Sequence, residues 1–463
     1  MSITIAGFCL FLRLTHLLLN RRLDFESLFM MTLFCELYLE IGYAIQIGGY
    51  INYRTIMEVL LFFCVITKMR KTSRKIVKQS VILYACLIIP IILLLLFPSN
   101  QLVAVIDTSW DDILEGASRK NPEINGYVIQ MLIQFLIYII VYVYIVSYYE
   151  KTDYFRLLSK TNRLINCMLV LGLFEFVLVT ILHQGTLWGE FKEMFFGISE
   201  ATITESRERG GLFELTLFTK EASHYAVLLF LTFIIKMGYN LIKNKRIFDY
   251  FLFLNLFLLA VSMSFTSVLC AFGILVILIT YRWRIIKPSS IKAEKYFFVF
   301  LLSVVLLFFS SIINDLNTEG FFSRRVMSII EEINVVTTDS WMTETTALEW
   351  SNRVRLLSVY QTLLAFLHRP IFGYGIGAVT AHGATPMFLS GAGIVGVYLW
   401  SKFNFFQKKI IGVFNSDKFG LKVAVISFFI VFMFGGFLRN FYEVSAIMLA
   451  ISFSIIYSKR ISV

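Results

Sequence analysis

Two stretches of this chain gather polar, chemistry-bearing side chains against an apolar background. One reads Arg207-Glu208-Arg209-Gly210-Gly211-Leu212-Phe213, then Thr219-Lys220-Glu221-Ala222-Ser223-His224-Tyr225. The other runs from Ser351-Asn352-Arg353 and Arg355 to His368-Arg369-Pro370, then Phe372-Gly373-Tyr374-Gly375-Ile376-Gly377 and His382. Glu221 falls in the first turn of an expected helix, where the helix dipole favours an acid. His224 stands one turn further on, so these two proton-carrying groups can meet on one face. The glycine-spaced segment has no strand before it, so it is a weak signal for a dinucleotide site, and a tight turn into the next span is the simple reading. No His, Cys or carboxylate spacing suggests a metal. Of the five histidines, His183, His224, His368 and His382 are expected at or beyond one membrane face, and His183 and His368 read as structural.

These groups must be positioned by apolar helices. Of 463 residues, 58% are hydrophobic and 16% charged, and mean hydropathy is +0.75, whereas soluble proteins carry roughly a quarter charged residues. Runs such as 81–97 (VILYACLIIPIILLLLF) do not alternate as barrel strands would. The expected fold class is therefore all-α, a polytopic integral membrane protein. Spans are expected near 2–20, 27–47, 54–68, 80–97, 127–147, 164–183, 222–242, 247–264, 266–281, 296–313, 386–400, 421–438 and 442–458. The first carries Arg13 and His16 and could instead be interfacial, which gives 12–14 spans. The whole chain, 1–463, reads as one polytopic domain with no cleavable signal.

Lys and Arg set the orientation. Loops on one side hold 27 of the 42 basic residues, and 19 of the 31 acids lie on the other. The basic side and the C-terminus are expected in the cytoplasm. Anionic lipid heads account for the net charge of +11, with no nucleic acid partner. The opposite side has two long loops, 184–221 and 314–385, where function is expected. The longer one predicts an interfacial helix with the stripe Val326, Ile329, Ile330 and Ile333, then a helix capped near Ser351–Asn352 and ended at Arg369–Pro370. The six cysteines all fall in apolar spans and read as small core residues. Charges within spans are Arg13, Glu36, Glu40, Glu58, Glu175, Lys236 and Glu443; Lys236 is expected to snorkel to the cytoplasmic interface and the others to pair between helices.

The ordered set of motifs resembles the bacterial polysaccharide polymerase (Wzy-type) and O-antigen ligase superfamily. Arg209-Gly210-Gly211-Leu212-Phe213 with Lys220 to His224 is similar to its Arg…Gly-Leu-Phe…Glu-Pro-Ser segment, alanine replacing the usual proline. Residues 262–267 (SMSFTS) resemble its Ser/Thr-rich turn between two spans. The segment from Arg353 through Gly377 resembles its Arg…Pro-hydrophobic-Gly-x-Gly-x-Gly signature, followed by His382 and a Gly-Ile-Val-Gly span at Gly393–Gly396. The family often has His-Asn after the glycines, and this chain has His382-Gly383.

The resemblance implies a GT-C-like membrane glycosyltransferase with its two long loops in the periplasm, at the bacterial inner membrane. It implies a polymerase that joins undecaprenyl-diphosphate-linked repeat units without cofactor or metal, with membrane lipid and a chain-length regulator protein as further partners. Arginine forks suit the diphosphate. Arg209, Arg353 and Arg369 come first for that role, then Arg207, Arg355 and Arg439. His382 and Glu221 are the implied candidates for the base that accepts the acceptor hydroxyl's proton, with His224 contacting substrate. About half of the arginines are expected only to pair with acids in the long loops. The alternatives are an O-antigen ligase acting on lipid A–core or, in a different class, a flippase or transporter for the lipid-linked sugar. A transporter should show two similar halves and short loops, which this chain lacks.

Overall fold

The computed structural model describes residues 2–19, 24–39, 43–46, 50–69, 74–99, 103–104, 119–198, 208–209, 212–213, 215–219, 222–244, 247–262, 264–284, 331, 333, 347–379, 384–405 and 444–456. Among these the chain is mostly helical. Its helices are α1 (Ile5–Leu19), α2 (Phe25–Tyr38), α3 (Tyr53–Lys68), α4 (Arg74–Leu96), α5 (Gly126–Tyr148), α6 (Lys151–Glu175), α7 (Gly185–Phe196), α8 (Ala222–Asn244), α9 (Tyr250–Val261), α10 (Phe265–Arg284), α11 (Ala347–His368), α12 (Ala384–Phe405) and α13 (Val444–Ile456). A π-helical turn, Phe176–Ile181, extends α6. Among the described residues, four helical stretches are long and apolar enough to cross a membrane: Arg74–Leu96, Gly126–Tyr148, Lys151–Ile181 and Ala222–Lys243. Five shorter apolar helices accompany them. The expected spans at 296–313 and 421–438 lie outside the described residues, as does nearly all of the stripe through Val326 and Ile330.

Local chemistry sets the boundaries. Asp24, Asn125 and Asp249 each accept a hydrogen bond from the backbone N–H three residues on, at 3.0, 3.1 and 2.8 Å, and so start α2, α5 and α9. A reciprocal capping box between Glu150 and Asp153 starts α6. That start lies thirteen residues before the expected 164, because residues 151–163 are amphipathic: Tyr154, Leu157, Leu158 and Thr161 are buried. α11 likewise begins at Ala347, so Ser351 and Asn352 stand inside the helix and do not cap it.

The expected span 27–47 is corrected. α2 ends at Tyr38, and Tyr43–Gln46 (β2) pairs with both Ser2–Ile3 (β1) and Tyr50–Asn52 (β3) in a three-stranded antiparallel sheet. Two more short pairings join Val103–Ala104 (β4) with Arg119–Lys120 (β5), and Glu208–Arg209 (β6) with Leu212–Phe213 (β7). All six cysteines are free; Cys9 and Cys167 are exposed and so are not core residues.

At the centre stands α8, 94% of whose apolar window is buried, against 39% for α4 at the periphery. α6, α9, α10 and α13 surround it. Gly238 lets α13 approach closely, since a Cβ there would lie 3.0 Å from Ser452 Cα. The antiparallel register of α8 and α9 is pinned by Asn255 Nδ2 donating to Thr232 Oγ1 at 2.9 Å and by the Lys236–Asp249 ion pair at 2.9 Å.

Lys236 does not snorkel. It is fully buried and also donates to Asn162 Oδ1 (3.0 Å) and Asn166 Oδ1 (2.8 Å) of α6. Two other helices, α6 and α9, supply partners for this cation, so extending to water would leave three acceptors unsatisfied. Of the other span charges, Glu58 pairs with Arg54 one turn away at 2.7 Å. Glu26, just outside the expected second span, receives Arg156 and Lys160 of α6.

Candidate functional site

Following the helices in their antiparallel order gives the bundle two ends. The Lys236 end collects the end of α3, the start of α4, the α5–α6 connection and the ends of α8, α10 and α12. Most of the described basic residues lie there, among them Lys68, Arg74, Lys75, Lys78, Lys151, Arg156, Lys160, Lys243 and Lys402. The opposite end carries the close of α6 at Glu175, the starts of α5, α8 and α12, and α7.

At this Glu175 end the chain builds a buried polar cluster. Glu175, only 2% exposed, closes the regular part of α6. Its Oε1 accepts from Trp188 Nε1 at 2.9 Å, Thr216 N at 3.3 Å and Leu217 N at 3.0 Å; Oε2 accepts from Leu217 N at 2.8 Å. Leu217 has φ of +49°, a left-handed conformation uncommon for a bulky residue. Lys192 of α7, also buried, donates to Thr216 Oγ1 at 3.1 Å. Burial pushes its ammonium below the ordinary lysine value, while the charge of Glu175 pulls it back up. The Trp188 ring stacks on Phe191 and Phe218, closing the cluster to water. Beneath it, Tyr225 OH is buried without a hydrogen-bond partner among the described residues and presses on Gly172, where any Cβ would collide with it.

Residues 215–219 therefore form a turn held by an anion, and the chain leads from it into α8. His224 is half-buried in that first turn, and Ser223 is buried beside it. The Ser/Thr-rich turn is brought to the same level. Continuing the α8–α9 register from Asn255–Thr232 places Ser262 opposite about Tyr225, at about 1.5 Å of rise per residue on both helices. Ser264 then caps α10, its Oγ accepting from Ser267 N at 3.1 Å.

The glycine segment also lies at this end. Gly373, Gly375 and Gly377 have φ of +71°, +105° and +87°, which side chains other than hydrogen rarely adopt. They pack under Ser390–Gly391, against Ile91 of α4 and against Tyr127 of α5 respectively. α12 is broken at Gly393 (φ +62°). Across the break, Tyr374 N and Gly375 N donate to Ser390 O and Gly391 O at 2.9 and 2.8 Å. Ile394 N and Val395 N donate to Pro370 O and Ile371 O at 2.9 and 3.4 Å. Arg369 donates to the Phe97 carbonyl at the end of α4 (3.0 Å), and its guanidinium lies over the Tyr374 ring, 4.6 Å from the centroid. An open apolar groove of about 260 Å³ runs between Leu93 and Phe97 of α4 and residues 369–373.

Of the residues expected to act, the structure thus gives Arg369 a local structural bond and places His224 in the first turn of α8. Arg209 lies in β6, and Arg353 and Arg355 lie in α11. Glu221, His382, Arg207 and Arg439 lie outside the described residues. The sequence reading passed over Trp188 and Lys192, whose signal was the amphipathic pattern of 185–196 next to an intramembrane glutamate. Among the described residues no cluster of His, Cys, Asp or Glu is arranged to hold a metal. No protein-family model matches this chain, nor does any curated protein or any solved structure.

Proposed function

We propose that the chain is an inner-membrane polymerase of lipid-linked oligosaccharides, a polytopic protein with 12–14 spans whose Glu175 end faces the periplasm. One observation carries the reading. The motif segments 209–225, 262–267 and 369–377 are distant in sequence, yet the helices gather their described residues at one end of the bundle, opposite most of the described basic residues. A GT-C-like arrangement with its chemistry at one face accords with this, and the positive-inside rule makes that face periplasmic.

In this reading the acceptor sugar hydroxyl attacks the anomeric carbon of the chain held on undecaprenyl diphosphate. The bond from that carbon to the diphosphate oxygen breaks, the diphosphate leaves with the electron pair, and the hydroxyl proton passes to a base. Glu221 and His382 are the candidates for that base. Charge develops on the diphosphate, and planar guanidinium forks stabilise it. Arg209 and Arg353 now stand ahead of Arg369, because Arg369 already spends a donor on the Phe97 carbonyl. The apolar groove beside Arg369 suits the first isoprene units of the carrier.

Deleting the gene in its host and resolving the surface polysaccharide on a gel tests the assignment. A polymerase deletion leaves lipid A–core capped with a single repeat unit. Uncapped core with accumulated lipid-linked polymer would point to a ligase, and absence of any capped species to a flippase. An intact ladder in a host without a redundant gene overturns the proposal. Arg353→Ala and Arg209→Ala are each expected to abolish polymer at unchanged protein level; normal chain length in both removes the diphosphate assignment.

A further inference from the structure

We infer that Glu175 is a positioning residue for the proposed glycosyl-transfer site: its carboxylate is the template on which the 215–219 turn folds, and that turn aims the first residues of α8. The inference rests on the reading that the 209–225 segment does the work, but its geometric half stands independently.

The observations are of three kinds. First, Glu175 directs its hydrogen bonds at backbone. The two backbone N–H groups it binds, of Thr216 and Leu217, have no helix or strand partner, and each would be buried and unsatisfied without the carboxylate. Second, Leu217 holds a left-handed backbone that is strained for a bulky side chain and persists only where its surroundings impose it. The carboxylate oxygens straddling its N–H are that imposition. Third, the rest of the cluster fixes the carboxylate itself. Trp188 donates its indole N–H and is clamped between Phe191 and Phe218, while Lys192 ties Thr216 to α7. Thr219 N then closes the turn on Thr216 O at 2.9 Å, and α8 starts at Ala222. A buried carboxylate binding only side chains would lock helices together. One that binds the amides of a strained turn, the second of them five residues before Ala222, sets the path by which the chain enters α8.

Hydrogen–deuterium exchange on the purified full-length protein in detergent, together with the polysaccharide ladder of the complemented deletion host, tests this. Glu175→Gln presents an amide N–H to amides that need an acceptor. It is expected to raise exchange in the 214–221 peptide at least tenfold, to leave the centre of α8 protected, and to abolish polymer. Glu175→Asp keeps the charge one methylene short and is expected to restore part of both. Trp188→Phe keeps the ring stack and removes one of the four hydrogen bonds; it serves if Glu175→Gln fails to accumulate, with a smaller shift in the same peptide expected. Unchanged exchange at 214–221 overturns the template role, and faster exchange with normal polymer overturns its functional consequence. A uniform rise across α8 marks a merely structural residue and also overturns the inference. If the ladder is indifferent to deleting the gene, the proposed function fails while the exchange result still decides the template.

Discussion

α8 meets α6 in two buried charged clusters, one towards each end, and they are built to opposite plans. Towards one end Lys236 is bound by side chains alone, Asp249 from the start of α9 and Asn162 and Asn166 from α6. Towards the other, Glu175 is bound mainly by the backbone of a loop. The first arrangement ties helix to helix and has every proton of the ammonium placed. The second ties a helix to a turn and leaves Tyr225 OH beside it without a partner among the described residues. A charge satisfied by side chains fixes the bundle; a charge satisfied by backbone fixes the path of the chain. The motifs lie at the end where the path is fixed.

The largest effect that separates the two plans is expected from Lys236→Ala. It strands Asp249 and two asparagine carbonyls, and breaking a buried pair in this way costs roughly 3–5 kcal/mol. Because Asp249 keeps some exposure to water, the lower end of that range is expected. Thermal unfolding in detergent measures it, and protein that remains folded should still make polymer; selective loss of polymer with full stability would break the contrast.

A pH series sharpens the other end. Lys192 is depressed below its ordinary 10.5 by burial. Between its folded value and 10.5 the unfolded state holds more protons, so stability rises with pH across that window and is lowest below it. One proton gives at most about 1.4 kcal/mol per pH unit. Lys192→Met should flatten this slope on the alkaline side below 10.5, and an unchanged slope would place the titration elsewhere. Smallest is Thr216→Val, which removes the acceptor for Lys192 and leaves the backbone bonds to Glu175. It is expected to cost about 1 kcal/mol, with exchange rising at 215–219 only; a change spreading to α9 would contradict the local plan.

Much of the scaffold was legible because apolar periodicity is a strong signal. α4, α5 and α8 begin and end within a few residues of the expected spans where both sides are marked by polar sequence, apart from the start of α4, which reaches back into the basic loop. Hydropathy alone misled where an apolar run hides a different period. Tyr43-Ala44-Ile45-Gln46 followed by Ile47-Gly48-Gly49 carries the sequence signals of strand alternation and a turn, yet it adjoins an apolar run and reads as its continuation. The reverse error hid the first half of α6, whose basic face resembled a loop. The site was legible as a set of motifs and illegible as a geometry. Nothing in one sequence says that Glu175 meets Leu217, forty-two residues away, because that contact depends on the turn of α7 between them. Lys236 was misread for the same reason: its partners lie on two other helices.

The break in α12 has a mechanical consequence. Its exposed ladder is completed by residues 370–375, which supply two donors and two acceptors to Ser390, Gly391, Ile394 and Val395. Lifting that segment away would strand four backbone groups of α12, and each costs several kcal/mol in an apolar setting. The glycine segment is therefore no lid. It is a splice, and whatever enters the groove beside Arg369 meets a wall that stays put.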